Sequence, residues 1–156
     1  MGLDMYLSKR HYVQRWDHIP PARQFDVTVN RGGEPYPAIK PERVKYVIEQ
    51  VAYWRKANAI HRWFVENCQS GEDDCKEYYV SRDKLRELLV EVEKILSGSA
   101  TGEDTLPTER GFFFGDTDYG DAYREDLEET KRQIAPLLAD EHDDNMVADY
   151  YYRASW

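Results

Sequence analysis

The densest run of residues able to do chemistry is Tyr53-Trp54-Arg55-Lys56-Ala57-Asn58-Ala59-Ile60-His61-Arg62-Trp63. Read as part of a helix, it places Trp54, Asn58 and His61 at i, i+4 and i+7, on one face, with Arg55 and Arg62 along a neighbouring seam. That is the chemistry of a pocket wall. Guanidinium groups present planar forked donors to phosphate or carboxylate, and an indole stacks on a base. The alternative is structural: Asn58 and His61 as satisfied core polar groups, and the arginines paired with acidic parts of the chain. Histidine is the side-chain type closest to neutral titration, so His61 is also a candidate general base. No adjacent motif supplies it with a partner or a substrate pose, and no catalytic residue is assigned.

Other candidate sites are weaker. Gly115 to Asp121 begins with the acid spacing of a calcium loop, but Gly and Asp are exchanged at its fifth and sixth positions. Leu127 stands where a bidentate Glu is required, so an EF-hand is excluded and helix capping is the simpler role. Asp140-Glu141-His142-Asp143-Asp144 has metal-ligand residue types and reads as a solvated loop. Arg31-Gly32-Gly33 could form a small anion nest, without the strand-to-helix setting of a P-loop. No nucleophile elbow, zinc-protease or Cys-x-x-Cys motif occurs. Cys68 and Cys75 lack a second ligand pair for zinc, and reduced thiols are the default. No cofactor and no metal is called for.

The elements that must position these residues follow from patterning. Leu3, Met5 and Leu7 alternate with polar positions, which predicts a strand, with His11 to Trp16 as a second. Phe25, Val27 and Val29 predict another, ended by the Asn30-Arg31-Gly32-Gly33 turn. Pro41 and Glu42 read as the start of one long central helix reaching Asn67, carrying Val44, Val47, Ile48 and Val51 at helical spacing. Glu77 to Val80 is a short strand. Ser81 caps a helix whose face is Leu85, Leu88, Leu89, Val92, Ile95 and Leu96, ended by Gly98. Ser99 to Pro107 is a polar, mobile connection, and Phe112 to Phe114 a short buried strand. A third helix starts near Asp118, with Pro136 expected to kink or shorten it. Ala148 to Arg153 is a final strand that could pair with the first. The sum is a single α+β domain over residues 1–156, a small, mainly antiparallel sheet packed with about three helices.

The 156 residues carry a net charge of −9, unevenly placed. Residues 1–67 hold 11 Lys/Arg and 7 Asp/Glu, a net +4, and residues 68–156 hold 10 and 23, a net −13. Overall acidity argues against nucleic-acid affinity and leaves room for an anionic ligand at the N-terminal half, or for an acidic face that meets a basic partner. No apolar run has membrane-spanning length and no secretory leader is evident, so a cytoplasmic location is expected. A homo-oligomer stays open.

Four blocks carry a resemblance: the opening Met1-Gly2-Leu3-Asp4-Met5-Tyr6-Leu7, the run from Tyr53 to His61, Gly111-Phe112-Phe113-Phe114-Gly115, and the closing Tyr150-Tyr151-Tyr152-Arg153-Ala154-Ser155-Trp156. Together they resemble a family of small uncharacterised bacteriophage and prophage proteins, along the whole chain. The resemblance implies a viral accessory protein acting in the host cell, of the kind that counters host defence, and implies no catalytic residues. The expected function is non-enzymatic sequestration of a small anionic, nucleotide-like ligand. Trp54, Arg55, Asn58, His61 and Arg62 would form the pocket, completed by Tyr150, Tyr152 and Trp156. The alternatives are an interaction or inhibitor module that binds a host protein through the acidic C-terminal half, and a small nucleotide hydrolase.

Overall fold

A computed structural model describes residues 2–140 and 148–156. The alternating apolar start of the chain forms strand β1, Asp4–Tyr12, with Met5 and Leu7 buried and the intervening side chains turned the other way. The chain then leaves the sheet. A 3-10 turn at Pro21–Arg23 precedes a two-residue hairpin, β2 (Asn30–Arg31) with β3 (Glu34–Pro35), whose corner uses Gly32 and Gly33 at positive φ. The strands expected at His11–Trp16 and Phe25–Asn30 are therefore not formed as such. β1 absorbs the start of the first, and of the second only Asn30 enters a strand, with Val29 O accepting from Tyr36 N beside it at 2.9 Å.

The long helix expected from Pro41 to Asn67 is also not formed. Pro41–Arg43 is a 3-10 turn, Tyr46–Arg55 is strand β4, and helix α1 spans only Asn58–Cys68. The apolar residues at 44, 47, 48 and 51 fit a helical period, but β-branched Val and Ile and flanking aromatics favour extended backbone. Antiparallel pairing with β1 along Asp4–Tyr12 decides the outcome. Ala52 and Trp54 point inward, two residues apart, as strand geometry requires. Lys56, at φ 59°, turns the corner into α1.

After a loop, β5 (Tyr78–Val80) leads into α2 (Arg82–Leu96). Ser81 caps it, its side chain accepting from Lys84 N at 3.1 Å, and Gly98 follows its end at φ 82°. The stretch expected as a mobile connection holds a one-turn helix α3, Gly102–Thr105, capped by Thr101 and followed by fully buried Leu106. Phe112–Phe114 is a turn rather than a strand: Phe112 is 92% exposed and Phe114 is buried. Helix α4, Asp121–Ala139, continues past Pro136 to its end. Strand β6, Ala148–Ser155, closes the chain. The acidic run from Glu141 to Asp144 lies outside the described residues.

The four-stranded sheet has the order β4-β1-β6-β5, antiparallel throughout. Both ends of the chain thus meet at its centre, in the register Asp4 to Ser155 through His11 to Ala148. One face, carrying Leu3, Met5, Leu7, Trp54, Tyr150, Tyr152 and Ala154, is covered by α1, α2 and α4. The fold is α+β. No helix among the described residues is long and apolar enough to cross a membrane.

Burial along α2 separates core from surface within one turn. Leu88 is fully buried while Val90 is 47% exposed. Leu88→Ala should destabilise by about 2–5 kcal/mol in urea titrations, and Val90→Ala should stay within roughly 0.5 kcal/mol of wild type. Equal effects would place the core face of α2 elsewhere.

Candidate functional site

Helix α1 begins one residue after the Lys56–Ala57 corner, so its first turns sit against the sheet and its polar residues must be satisfied inside. Asn58 does this by clamping a loop. Its amide Nδ2 donates to Phe114 O at 3.1 Å and Asp116 O at 2.7 Å, and its Oδ1 accepts from Glu109 N at 3.0 Å. The 109–116 segment is thereby fixed over the start of α1. Gly111 is required there, because a β-carbon would stand 2.4 Å from the Phe114 ring.

One turn on, His61 is 1% exposed and bonded at both ring nitrogens. Nδ1 lies 2.7 Å from the Tyr152 hydroxyl and Nε2 lies 2.9 Å from Asp73 Oδ2. The other Asp73 oxygen accepts from Trp156 Nε1 at 3.0 Å. A single ring proton, assigned to Nε2 from the hydrogen-bond partners, satisfies every group in this chain: Tyr152 O–H donates to Nδ1, Nε2–H donates to Asp73, and the indole donates to the second carboxylate oxygen. Tyr152 is held by a parallel stack on Phe64, with centroids 4.0 Å apart and planes 7° apart. Burial, then the nearby Asp73 carboxylate, holds its hydroxyl well above the ordinary tyrosine range, so it stays a donor.

Above this chain lies a cleft of about 520 Å³ between α1, the Gly71–Asp73 loop, the 109–114 loop and Trp156. Phe112, Phe113, Phe114 and Trp156 supply aromatic surface, and Phe112 and Trp156 stand exposed at its mouth. Arg62 lines it but is committed: its guanidinium bonds Glu66 at 2.8 Å and Thr108 O at 3.3 Å, and lies 3.5 Å from Glu109. Arg110 is exposed and makes no hydrogen bond or ion pair among the described residues.

The eight residues expected to form one pocket are thus distributed. His61, Arg62 and Trp156 line the cleft. Asn58 builds its wall from behind, and Tyr152 holds His61 from below. Trp54 does not share their helix face. It is on β4 inside the core, its Nε1 donating to Thr130 Oγ1 at 2.9 Å. Tyr150 is buried further along β6, with the Lys9 ammonium 5.7 Å from its ring centroid. Arg55 opens onto a separate cleft of about 200 Å³ with Lys56, Asp116, Asp118 and Asp126. Sequence reasoning missed Asp73, Arg110 and the three phenylalanines as cleft residues. The Gly-flanked Phe-Phe-Phe run was the available signal, since glycines at both ends suit a turn as well as a strand. Asp73 gave none, being one acid in an acidic loop.

Both cysteines are free, and burial pushes the Cys68 thiol up to about 11, which suppresses its reactivity. Among the described residues, no group of three or more His, Cys, Asp or Glu side chains is placed to hold a metal ion.

In the smaller cleft, burial and then the neighbouring Glu125 carboxylate push Asp126 up to about 6 from an ordinary 3.8. Between those values the folded chain keeps a proton that the unfolded chain has released, so stability falls as pH rises through that window and stays lower above it. Asp126→Asn should therefore leave stability near pH 4 unchanged. Near pH 7.5 it should raise it by roughly 1–2 kcal/mol, allowing for partial exposure. Urea titrations at the two pH values check this, and an equal change at both would contradict it.

Comparison of the chain with protein-family models, curated proteins and solved structures finds no match.

Proposed function

We propose that this chain is a non-enzymatic binding protein for a small, planar, anionic ligand of nucleotide type, held in the cleft above His61. The observation that carries this is the uncommitted guanidinium of Arg110 beside the rings of Phe112, Phe113 and Trp156, in a cleft of about 520 Å³. Volumes of this order suit cofactor-sized ligands, and a few polar groups among apolar walls are the usual composition of such sites. The ring of the ligand stacks on the aromatic wall while its phosphate or carboxylate meets Arg110. The carboxylates of the cleft do not oppose this one for one. Asp73 accepts two N–H groups, and Glu66 and Glu109 face Arg62.

Binding rather than turnover is favoured by the same geometry. A general base needs a free lone pair within reach of a proton, and both nitrogens of His61 are occupied internally. Sequestration of a signal nucleotide, the role implied by the resemblance to phage accessory proteins, needs binding alone. The rival role, inhibition of a host protein through the acidic C-terminal half, would leave the cleft unused.

Thermal shift and calorimetric titration with linear and cyclic mononucleotides test the proposal. At least one should raise the melting temperature. Arg110→Ala should then weaken it about ten- to a hundredfold, and Trp156→Ala by a stacking contribution of ~1–3 kcal/mol. Arg55→Ala, in the other cleft, should keep full affinity. No stabilisation by any member of the panel, or full affinity in folded Arg110→Ala and Trp156→Ala, would overturn the proposal, and release of product from the nucleotide would replace it with hydrolysis.

A further inference from the structure

Strand β4 is the outer strand of the sheet, and its edge is protected at one end only. At Tyr53 the side-chain amide of Gln133 imitates a neighbouring strand, accepting from Tyr53 N at 2.8 Å and donating to Tyr53 O at 2.9 Å. A bulge at Val51, where the register shifts between Leu7 and Ser8, reverses the parity of the strand before that point. Val13 N donates to Lys45 O at 2.9 Å, so Lys45, Val47 and Glu49 face β1 with their backbone groups. Tyr46, Ile48 and Gln50 accordingly turn their N–H and C=O groups outward, and these bond no partner among the described residues.

Exposed strand edges are normally defended by proline, lysine, a covering element or a pronounced twist. Here three consecutive exposed apolar side chains, Tyr46, Val47 and Ile48, accompany the open backbone. We propose that this edge pairs antiparallel with the same edge of a second copy, giving a twofold dimer with one continuous eight-stranded sheet.

The register follows from the residues. The outward groups of Tyr46 and Ile48 pair across the axis if the twofold passes through Val47. Tyr46 then faces Ile48 twice, Val47 meets Val47, and Lys45 faces Glu49 twice. The last is a non-hydrogen-bonded pair, in which side chains are closest, and opposite charges there stabilise. The Lys45 ammonium makes no ion pair or side-chain hydrogen bond within its own chain among the described residues. Among the described residues, the Glu49 carboxylate bonds the half-buried His11 ring, Nε2 to Oε2 at 2.7 Å, and is itself exposed. Moving the axis to Ile48 would set Val47 against Glu49 and Tyr46 against Gln50, losing both the apolar and the ionic match.

Sedimentation across the micromolar range tests this on the full chain. Wild type should show a reversible monomer–dimer equilibrium. Lys45→Glu and Glu49→Lys should each weaken it roughly tenfold, because the twofold interface holds the pair twice, and the double swap should restore it. Ile48→Pro removes an outward N–H that the monomer does not use, so it should abolish dimerisation and leave a folded monomer. Val47→Cys, with Cα atoms about 4.5 Å apart across the axis, should form an intermolecular disulfide with oxidised glutathione well above wild-type background, and Ile48→Cys should not. A wild-type chain that stays monomeric, with or without an extended peptide of another protein on this edge, overturns the proposal. So does a dimer indifferent to the charge swaps and not captured by Val47→Cys. None of these outcomes bears on the ligand cleft.

Discussion

The hydrogen-bonded line Tyr152–His61–Asp73–Trp156 is the constraint on which the rest of the molecule depends. It joins two stretches far apart in sequence: helix α1 with the loop after it, and strand β6 with the residue that follows it. An imidazole buried this completely must have both nitrogens satisfied, or the fold loses more than the ring's packing returns. Meeting that requirement fixes the phenol of Tyr152, which the Phe64 stack already orients, and brings the Asp73 carboxylate to the edge of the core. Asp73 in turn positions the terminal indole. The floor and one rim of the cleft are therefore consequences of how His61 is satisfied.

The opposite wall depends on a second buried polar group, Asn58, one turn earlier on the same helix. Its three bonds to backbone replace the regular hydrogen bonds that the 109–116 loop lacks. Phe114 then seals the core against the edge of His61, with centroids 5.3 Å apart, while Phe112 is left outside and Phe113 half-buried. Two polar residues one turn apart on α1 thus hold the two sides of one cleft. The chain's charge of −9 repels anions at long range, so the anionic ligand proposed for the cleft would rely on contacts screened from that field, stacking and the local guanidinium of Arg110.

Much of the fold was legible in the sequence. Helix α2 was read correctly because its apolar period, cap and terminal glycine agree. Both terminal strands were legible, and the pairing the sequence left open between them is formed. The stretch from Pro41 to Arg55 was misread because 44, 47, 48 and 51 satisfy the helical period by coincidence, while the partner that makes them a strand, β1, is some forty residues away and invisible to a local pattern. That error carried into the site: with β4 taken as helix, Trp54 and Arg55 were placed beside His61, whereas one faces the core and the other a different cleft. His61, Arg62 and Trp156 line one cleft together, because their placement does not depend on that segment. Asp73 could not be found, since only the folded chain distinguishes it from Asp74.

His61 is a structural link with both ring nitrogens bonded internally, beside the cleft proposed to hold a ligand. Long-range nitrogen–proton NMR correlation of its ring tests this directly, in the free protein and with saturating mononucleotide. A protonated Nε2 and an accepting Nδ1, the same in both states, is the predicted result. A bare Nε2, or a proton that changes nitrogen when ligand binds, would contradict it and make His61 available as a base.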